Sequence, residues 1–243
     1  MRYLTAPMNP RLAIPARARF LLALFPLGLL GFGACGARQT GETVEAQQGV
    51  SDEEQIVGAW TAYREALKGR DGKKAVSGVT RASIEDYANA RARALHATRE
   101  ELATLSTMDR LLAVSLRARL SREVLEKADG RELLALTIDR GWVGEDLDVD
   151  VQVERIEGDL AFVQLRRGEH TLPESYPLVR KEENRWRVDL HELIRIGEAA
   201  LERELQKLAN ESETDLDGAI LIVLSMILER QVDESIWEPL VKP

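Results

Sequence analysis

The chain carries a single cysteine, Cys35, among 243 residues. One thiol excludes an intrachain disulfide, a multi-cysteine zinc site and a pair of redox thiols. Histidine is almost as scarce: only His96, His170 and His191 occur. None has a second His or Cys three or four positions away. Glu100 and Glu174 follow His96 and His170 at that spacing, but one such pair supplies too few ligands for a metal. The expectation is no metal and no cofactor. Recognisable catalytic motifs are missing as well. No Gly-x-Ser-x-Gly elbow occurs, and residues 69–74 (GRDGKK) have neither the spacing of a phosphate loop nor a Ser or Thr after the lysine. Residues 146–150 (DLDVD) alternate acids like the start of a calcium loop, with Glu157 at the twelfth position. The sixth position is Val151, however, where the sharp turn needs glycine. The segment therefore reads as the solvated acidic face of a strand. Positive charge is also in deficit, at 33 basic against 41 acidic residues, which argues against a nucleic-acid partner.

The N-terminal segment has its own order. Arg2, Arg11, Arg17 and Arg19 precede an apolar run over residues 20–34, and the first carboxylate is Glu42. The run holds 15 residues, interrupted by Pro26, Gly28, Gly31 and Gly33, whereas a membrane span needs roughly 20. A basic arm, a short apolar run and a small-residue site read as a secretory signal peptide, residues 1–34. Met8 offers an alternative start that keeps three of the four arginines. The end of the run, Phe32-Gly33-Ala34-Cys35, resembles the bacterial lipoprotein signal, with Phe32 where leucine is usual. That resemblance implies cleavage before Cys35, acylation of its thiol with palmitate-like chains, and anchorage to a membrane. With Gly36 and not aspartate next, it implies the outer membrane, facing the periplasm, in a Gram-negative source. Removing residues 1–34 takes away four arginines and no acid. The remainder holds 29 basic and 41 acidic residues, a balance of −12.

Residues 36–51 are polar and lack apolar periodicity, so residues 35–51 read as the lipidated cysteine and a flexible tether. From residue 52 a single globular domain is expected. Ile56, Trp60, Tyr63 and Leu67 lie on one helix face, with Ser51 and Glu54 as a capping box. Helical pieces continue to about residue 140. They include a stripe of Ile84, Ala88, Ala92 and Leu95, a second capping box at Thr98 and Glu101, and a piece capped by Ser121 and ended by Asp129-Gly130. The period then changes to two. Leu147, Val149, Val151 and Val153 alternate with polar residues, and short turns separate three further strands, 160–166, 176–181 and 184–190. Pro177 marks an edge or a bulge. Connections this short require an antiparallel meander. Two helices, 191–209 and 218–230, close the chain. The apolar run 219–228 is too short to span a bilayer and is expected to be buried.

The expected fold is therefore α+β: a helical N-terminal half, a curved, cone-like antiparallel sheet of about four strands over 146–190, and two C-terminal helices over 191–243. This order, with the last strand reading Asn184-Arg185-Trp186-Arg187-Val188-Asp189-Leu190, resembles the nuclear transport factor 2-like superfamily, whose exported members often end their sheet on a W-x-V-D-L strand. The resemblance implies an open cone that hosts either a binding module or an isomerase- or cyclase-type enzyme. Trp60, Tyr63, Tyr87 and Trp186 would line such a pocket, and Asp86, Asp189 and the tyrosines could supply a carboxylate base and a hydroxyl donor. The same four aromatics also fit an ordinary core. With no catalytic motif in the chain, a non-catalytic module binding a protein or a small apolar ligand is the leading expectation. A small-molecule isomerase or cyclase is the alternative.

Overall fold

The computed structural model describes residues 50–144 and 147–242. The expectations for the signal segment, for Cys35, for nearly all of the tether and for Asp146 lie outside them. Seven helices come first: α1 (Asp52–Lys68), α2 (Gly72–Ser77), α3 (Arg81–His96), α4 (Arg99–Ala103), α5 (Thr107–Arg119), α6 (Arg122–Lys127) and α7 (Gly130–Asp139). Strands β1 (Asp150–Glu157), β2 (Leu160–Arg167), β3 (His170–Glu182) and β4 (Arg185–Val188) follow. Then come α8 (Leu190–Glu211), α9 (Leu216–Ile227) and a 3-10 turn, Glu234–Trp237. The fold is α+β, in the expected order.

Helix starts are written locally. Ser51, Thr98 and Asp129 form reciprocal capping boxes with Glu54, Glu101 and Glu132, satisfying first-turn N–H groups that have no intrahelical acceptor. Asp129-Gly130, expected to end a helix, follows the end of α6 and also opens α7. Glycine is needed at that position, because a Cβ on Gly130 would stand 2.5 Å from the Ile84 carbonyl oxygen of α3. The stripe of α3 is also rotated from expectation. Ser83, Tyr87, Ala90 and Ala94 are buried with Leu95, while Ala92 is exposed. Five of the sixteen residues of α3 are alanine, which gives little amphipathic contrast, and the buried face includes the ring of Tyr87.

The sheet runs β1-β2-β3-β4, antiparallel throughout. Its buried face is lined by Val151, Val163, Leu165, Val179, Trp186 and Val188. The two prolines of β3 fall where its register with β2 shifts. Pro177 and Leu178 together oppose Phe162, and Pro173 lies between the pairs Gln164–Ser175 and Arg166–Thr171. Both sites are bulges, where a missing N–H removes nothing from the ladder and the strand bends. β3 is therefore much longer than the expected 176–181, because its first half continues past Pro173.

Curvature brings both ends of the sheet to one helix. At the start of α1 the Asp52 carboxylate accepts from Trp186 Nε1 (2.8 Å) and from Lys181 Nζ (3.1 Å) on β4 and β3. Two turns later Trp60 Nε1 donates to the Val149 carbonyl at 2.8 Å, just ahead of β1. Arg64 pairs with Asp150, and Lys68 with Asp148 at 2.8 Å. A single helix thus ties the first strand to the last.

Two buried clusters result. The first joins α1, α2, α3 and α7 to the sheet and includes Ile56, Trp60, Leu133, Val163 and Val188. The second lies among α4, α5, α8, α9 and the 3-10 turn, with Leu102, Val114, Leu205, Ile220 and Trp237 at its centre. The apolar run of α9 buries Ala219, Ile220, Val223 and Leu224 there. No helix among the described residues is long and apolar enough to cross a membrane.

Helix C-termini are finished by arginine. Arg117 on α5 is 5% exposed and uses all five of its N–H donors on main-chain carbonyls. Nε donates to Ala94 at 2.8 Å, Nη2 to Arg93 and Ala97, and Nη1 to Ile236 and Trp237. Four more helix ends receive the same treatment. Arg91 reaches Leu125 and Glu126 of α6, Arg110 reaches Ala103 of α4, Arg187 reaches Ser77 of α2, and Arg230 reaches Ala118 of α5. The last carbonyls of a helix have no intrahelical donor and carry the negative end of its dipole, so a cation is favoured there. Helices α3, α5 and α6 end on extended Ala97, Leu120 and Ala128. None of the three has the left-handed glycine that commonly caps such ends.

Replacing Arg117 by methionine removes a donor from five carbonyls, all in buried or partly buried contacts. The variant should lose about 3–5 kcal/mol of unfolding free energy in denaturant titration. Arg122→Met, which removes an exposed pair with Glu126 one turn away, should move the melting temperature by no more than about a degree. Equal losses in the two variants would show that the carbonyl contacts of Arg117 add nothing.

Candidate functional site

The four aromatics named as possible pocket residues all belong to the first buried cluster. Trp60, Tyr63 and Trp186 reach it from α1 and β4, and Tyr87 from α3. Each is at most 6% exposed. Their polar atoms are largely committed: Trp60 Nε1 to the Val149 carbonyl, Trp186 Nε1 to Asp52. Burial pushes the Tyr63 hydroxyl far above the ordinary phenol range, and the neighbouring Tyr87 adds to the shift. The Tyr87 hydroxyl is raised too, again chiefly by burial, with hydrogen bonding to Thr137 working against it. Tyr176 on β3, half-buried, is pushed up to about 12 by burial and by its hydrogen bond to Glu174. Trp186 carries Lys181 over its ring at 5.2 Å from the centroid.

A second cluster, polar and chemically richer, lies where α3, β4 and α8 meet. Residues 78–80 run beside β4: Thr80 N–H donates to the Val188 carbonyl and Val188 N–H to Gly78. This sets Thr80 and Ser83, both fully buried, against the start of α8. The two hydroxyls are 2.8 Å apart, and Ser83 Oγ accepts the Leu190 N–H at 2.8 Å. Strand alternation carried through 184–190 would turn Asp189 outward with Arg185 and Arg187, opposite Trp186 and Val188, yet Asp189 is 2% exposed. Its carboxylate accepts from Thr80 Oγ1 (3.4 Å) and from Arg180 Nε (3.3 Å). The alternation of β4 stops at Val188, because the chain turns there into α8 and carries Asp189 inward as the N-cap residue.

Beside this cluster, His191 Nδ1 lies 2.9 Å from Asp86 Oδ2. The hydrogen bond to Asp86 lifts the imidazole above the ordinary histidine range, and Asp189 and Glu192 add to the lift. Burial raises the Asp86 carboxyl, its contact with His191 lowers it, and Asp109 and Asp189 raise it further.

The arrangement holds the residue types of an acyl-transfer triad without the relay. Ser83 Oγ accepts from a main-chain amide and faces Thr80, while the imidazole faces Asp86. Nucleophilic catalysis needs the hydroxyl within reach of the base. Asp86 and Asp189, considered earlier as bases for a cone-shaped pocket, are brought together with His191 and Arg180 and not with Tyr63. Of the other histidines, His170 opens β3 and His96 ends α3, both exposed. No group of three or more His, Cys, Asp or Glu among the described residues is placed to hold a metal ion. The pairing of Asp86 with His191 spans 105 positions, and no local pattern announces it. The only local sign was the aspartate of the W-x-V-D-L strand, standing directly before a helix.

Comparison with protein-family models, with curated proteins and with solved structures finds no match to this chain.

The buried phenols set an alkaline limit. A raised folded-state pKa means that the unfolded chain gives up the proton first, so the stability held below about pH 10 is lost as pH climbs beyond it. Phenolate absorbance of the folded protein should therefore leave Tyr63 and Tyr87 silent until alkaline unfolding exposes both in one step. Early titration of either would show water reaching the cluster. Trp186→Ala should cost about 3–5 kcal/mol, as for other large core truncations. Melting within a degree or two of the wild type would mean that the ring is not part of the core.

Proposed function

We propose that this is an exported lipoprotein whose folded domain is a non-catalytic binding or scaffold module, held at a membrane through acyl chains on Cys35. The observation that carries the proposal is the N-terminal order: arginines without acids, a 15-residue apolar run, then Phe32-Gly33-Ala34-Cys35. That order supplies a cleavage site and a unique thiol in one place. Each buried methylene contributes about 0.8 kcal/mol, so two or three long chains hold the protein irreversibly on experimental timescales. The polar stretch 36–51 separates the anchor from the folded residues. Gly36 favours the outer membrane, facing the periplasm, where the source is Gram-negative.

The role of the domain follows from what its side chains already do. The aromatics that would line a reaction cone, Trp60, Tyr63, Tyr87 and Trp186, fill a core, and their N–H groups are spent on Val149 and Asp52. A carboxylate base paired with a hydroxyl donor, as an isomerase or cyclase would use, has to be assembled from groups with other partners: Asp189 with Arg180 and Thr80, Asp86 with His191. This favours binding over turnover. The balance of −12 beyond residue 34 favours a protein or a small apolar ligand over nucleic acid.

Expression in a Gram-negative host with an alkyne-tagged fatty acid tests the anchor. The wild-type chain should incorporate the tag and sediment with membranes, and Cys35→Ser should lose both properties. A Cys35→Ser chain that still sediments, with residues 1–34 uncleaved, would replace the lipoprotein reading with a plain hydrophobic anchor.

A further inference from the structure

Charge around the first turn of α8 is paired with one exception. Asp109 on α5 faces Arg93 on α3 at 2.6 Å, Asp189 faces Arg180 on β3 at 3.3 Å, and Glu192 on α8 faces Arg195 at 2.8 Å. The fourth carboxylate, Asp86 on α3, has His191 as its ion-pair partner, at 2.9 Å. The Asp86 side chain is only 26% exposed. With a neutral imidazole, this partly desolvated carboxylate keeps a hydrogen bond but no opposite charge. A proton on His191 completes the pattern of four acids and four cations.

The position of the pair gives it leverage. Helix α8 carries Leu190 and Leu193 in the first buried cluster and Leu205 and Ala209 in the second. Its first turn is therefore a seam between the sheet-and-helix body and the C-terminal helices. Two polar contacts fasten that turn to α3. One is the Leu190 N–H to Ser83 Oγ bond, which does not titrate in the ordinary range. The other is His191 with Asp86.

We propose that Asp86 and His191 form an acid-tightened latch that fastens the start of α8, and with it the C-terminal helices, to α3. The positive end of the α8 dipole opposes a cation at His191. The three carboxylates acting on the ring (Asp86, Asp189 and Glu192) outweigh it, and the imidazole is held above its ordinary range. A base whose folded pKa is raised contributes stability that is fully present below its unfolded value, about 6.5, and is lost as pH rises through the folded value. Asp86 is itself raised, chiefly by burial, so its ionisation also removes stability as pH rises, while the charged carboxylate it produces is what the imidazolium pairs with. The latch is thus tightest on the weakly acidic side of neutrality and loosens above it.

Three measurements on the full-length chain test the latch. NMR titration should place the His191 transition above about 6.5, and Asp86→Asn should bring it down. The melting temperature of the wild type should exceed that of His191→Gln by about 2 °C more at pH 5.5 than at pH 8.5. His191→Gln and Asp86→Asn combined should show no further loss of that pH dependence. Amide exchange in the first turn of α8, corrected for its intrinsic pH dependence, should be slower on the acid side in the wild type alone. A His191 transition at or below 6.5, or a melting gap that does not change with pH, overturns the proposal.

Discussion

Arg117 is a buried cation that meets no carboxylate of the described residues at hydrogen-bond distance, and the end of α3 and the final 3-10 turn converge on it. Its guanidinium spends five donors on five carbonyls, three from the end of α3 and two from the final 3-10 turn. Burial lowers its pKa, with Glu238 partly offsetting the effect. The starting value is so far above neutrality that the charge remains. An alternative packing of α3, α5 and the C-terminal turn that removed any of those carbonyls would leave an unsatisfied donor in a water-poor site, at about 1–3 kcal/mol each. The contact selects one arrangement among many that would bury similar apolar area.

The same economy appears at the sheet. A four-stranded antiparallel sheet has two unpaired edges, and this one bends so that α1 holds both. Asp52 takes the β3–β4 end, and Trp60, Arg64 and Lys68 take the start of β1. The bending is supplied by bulges at Pro173 and Pro177, and by another between Val153 and Arg155. Helix α1 lies against the buried face of this open, curved sheet. Ile56, Trp60 and Tyr63 of α1 belong to the buried cluster that includes the sheet.

Polar and titratable side chains gather along the α3–α8 seam. Ser83, Asp86, Asp189 and His191 each serve the junction of secondary-structure elements. The two buried clusters meet at helices α5 and α8, and the Asp86–His191 contact lies at that seam.

How much of this was legible from residue order depended on the range of the interaction. Capping boxes at Ser51 and Thr98, the α1 stripe, the alternation through Val149 and Val151, and the burial of Trp186 all lie within a few positions and were readable. The order of helices, sheet and helices followed from them. The helix end before Asp129-Gly130 was readable, but the close approach of Ile84 that requires Gly130 was not, because it comes from another helix. The α3 stripe misled because alanines weigh too little to define a face. Asp189 misled because a strand's alternation ends where the chain turns. The pairing of Asp86 with His191, and of Arg117 with carbonyls up to 120 positions away, left no local trace. By itself the sequence determined what is local: a lone cysteine, the order and class of the main elements, and the buried face of those with strong apolar contrast, such as α1. The tertiary structure alone decided that the curved sheet closes on α1 and that the carboxylates pair across α3 and α8. Hydrogen bonds and ion pairs at long separation depend on three-dimensional proximity, which no short-range period encodes.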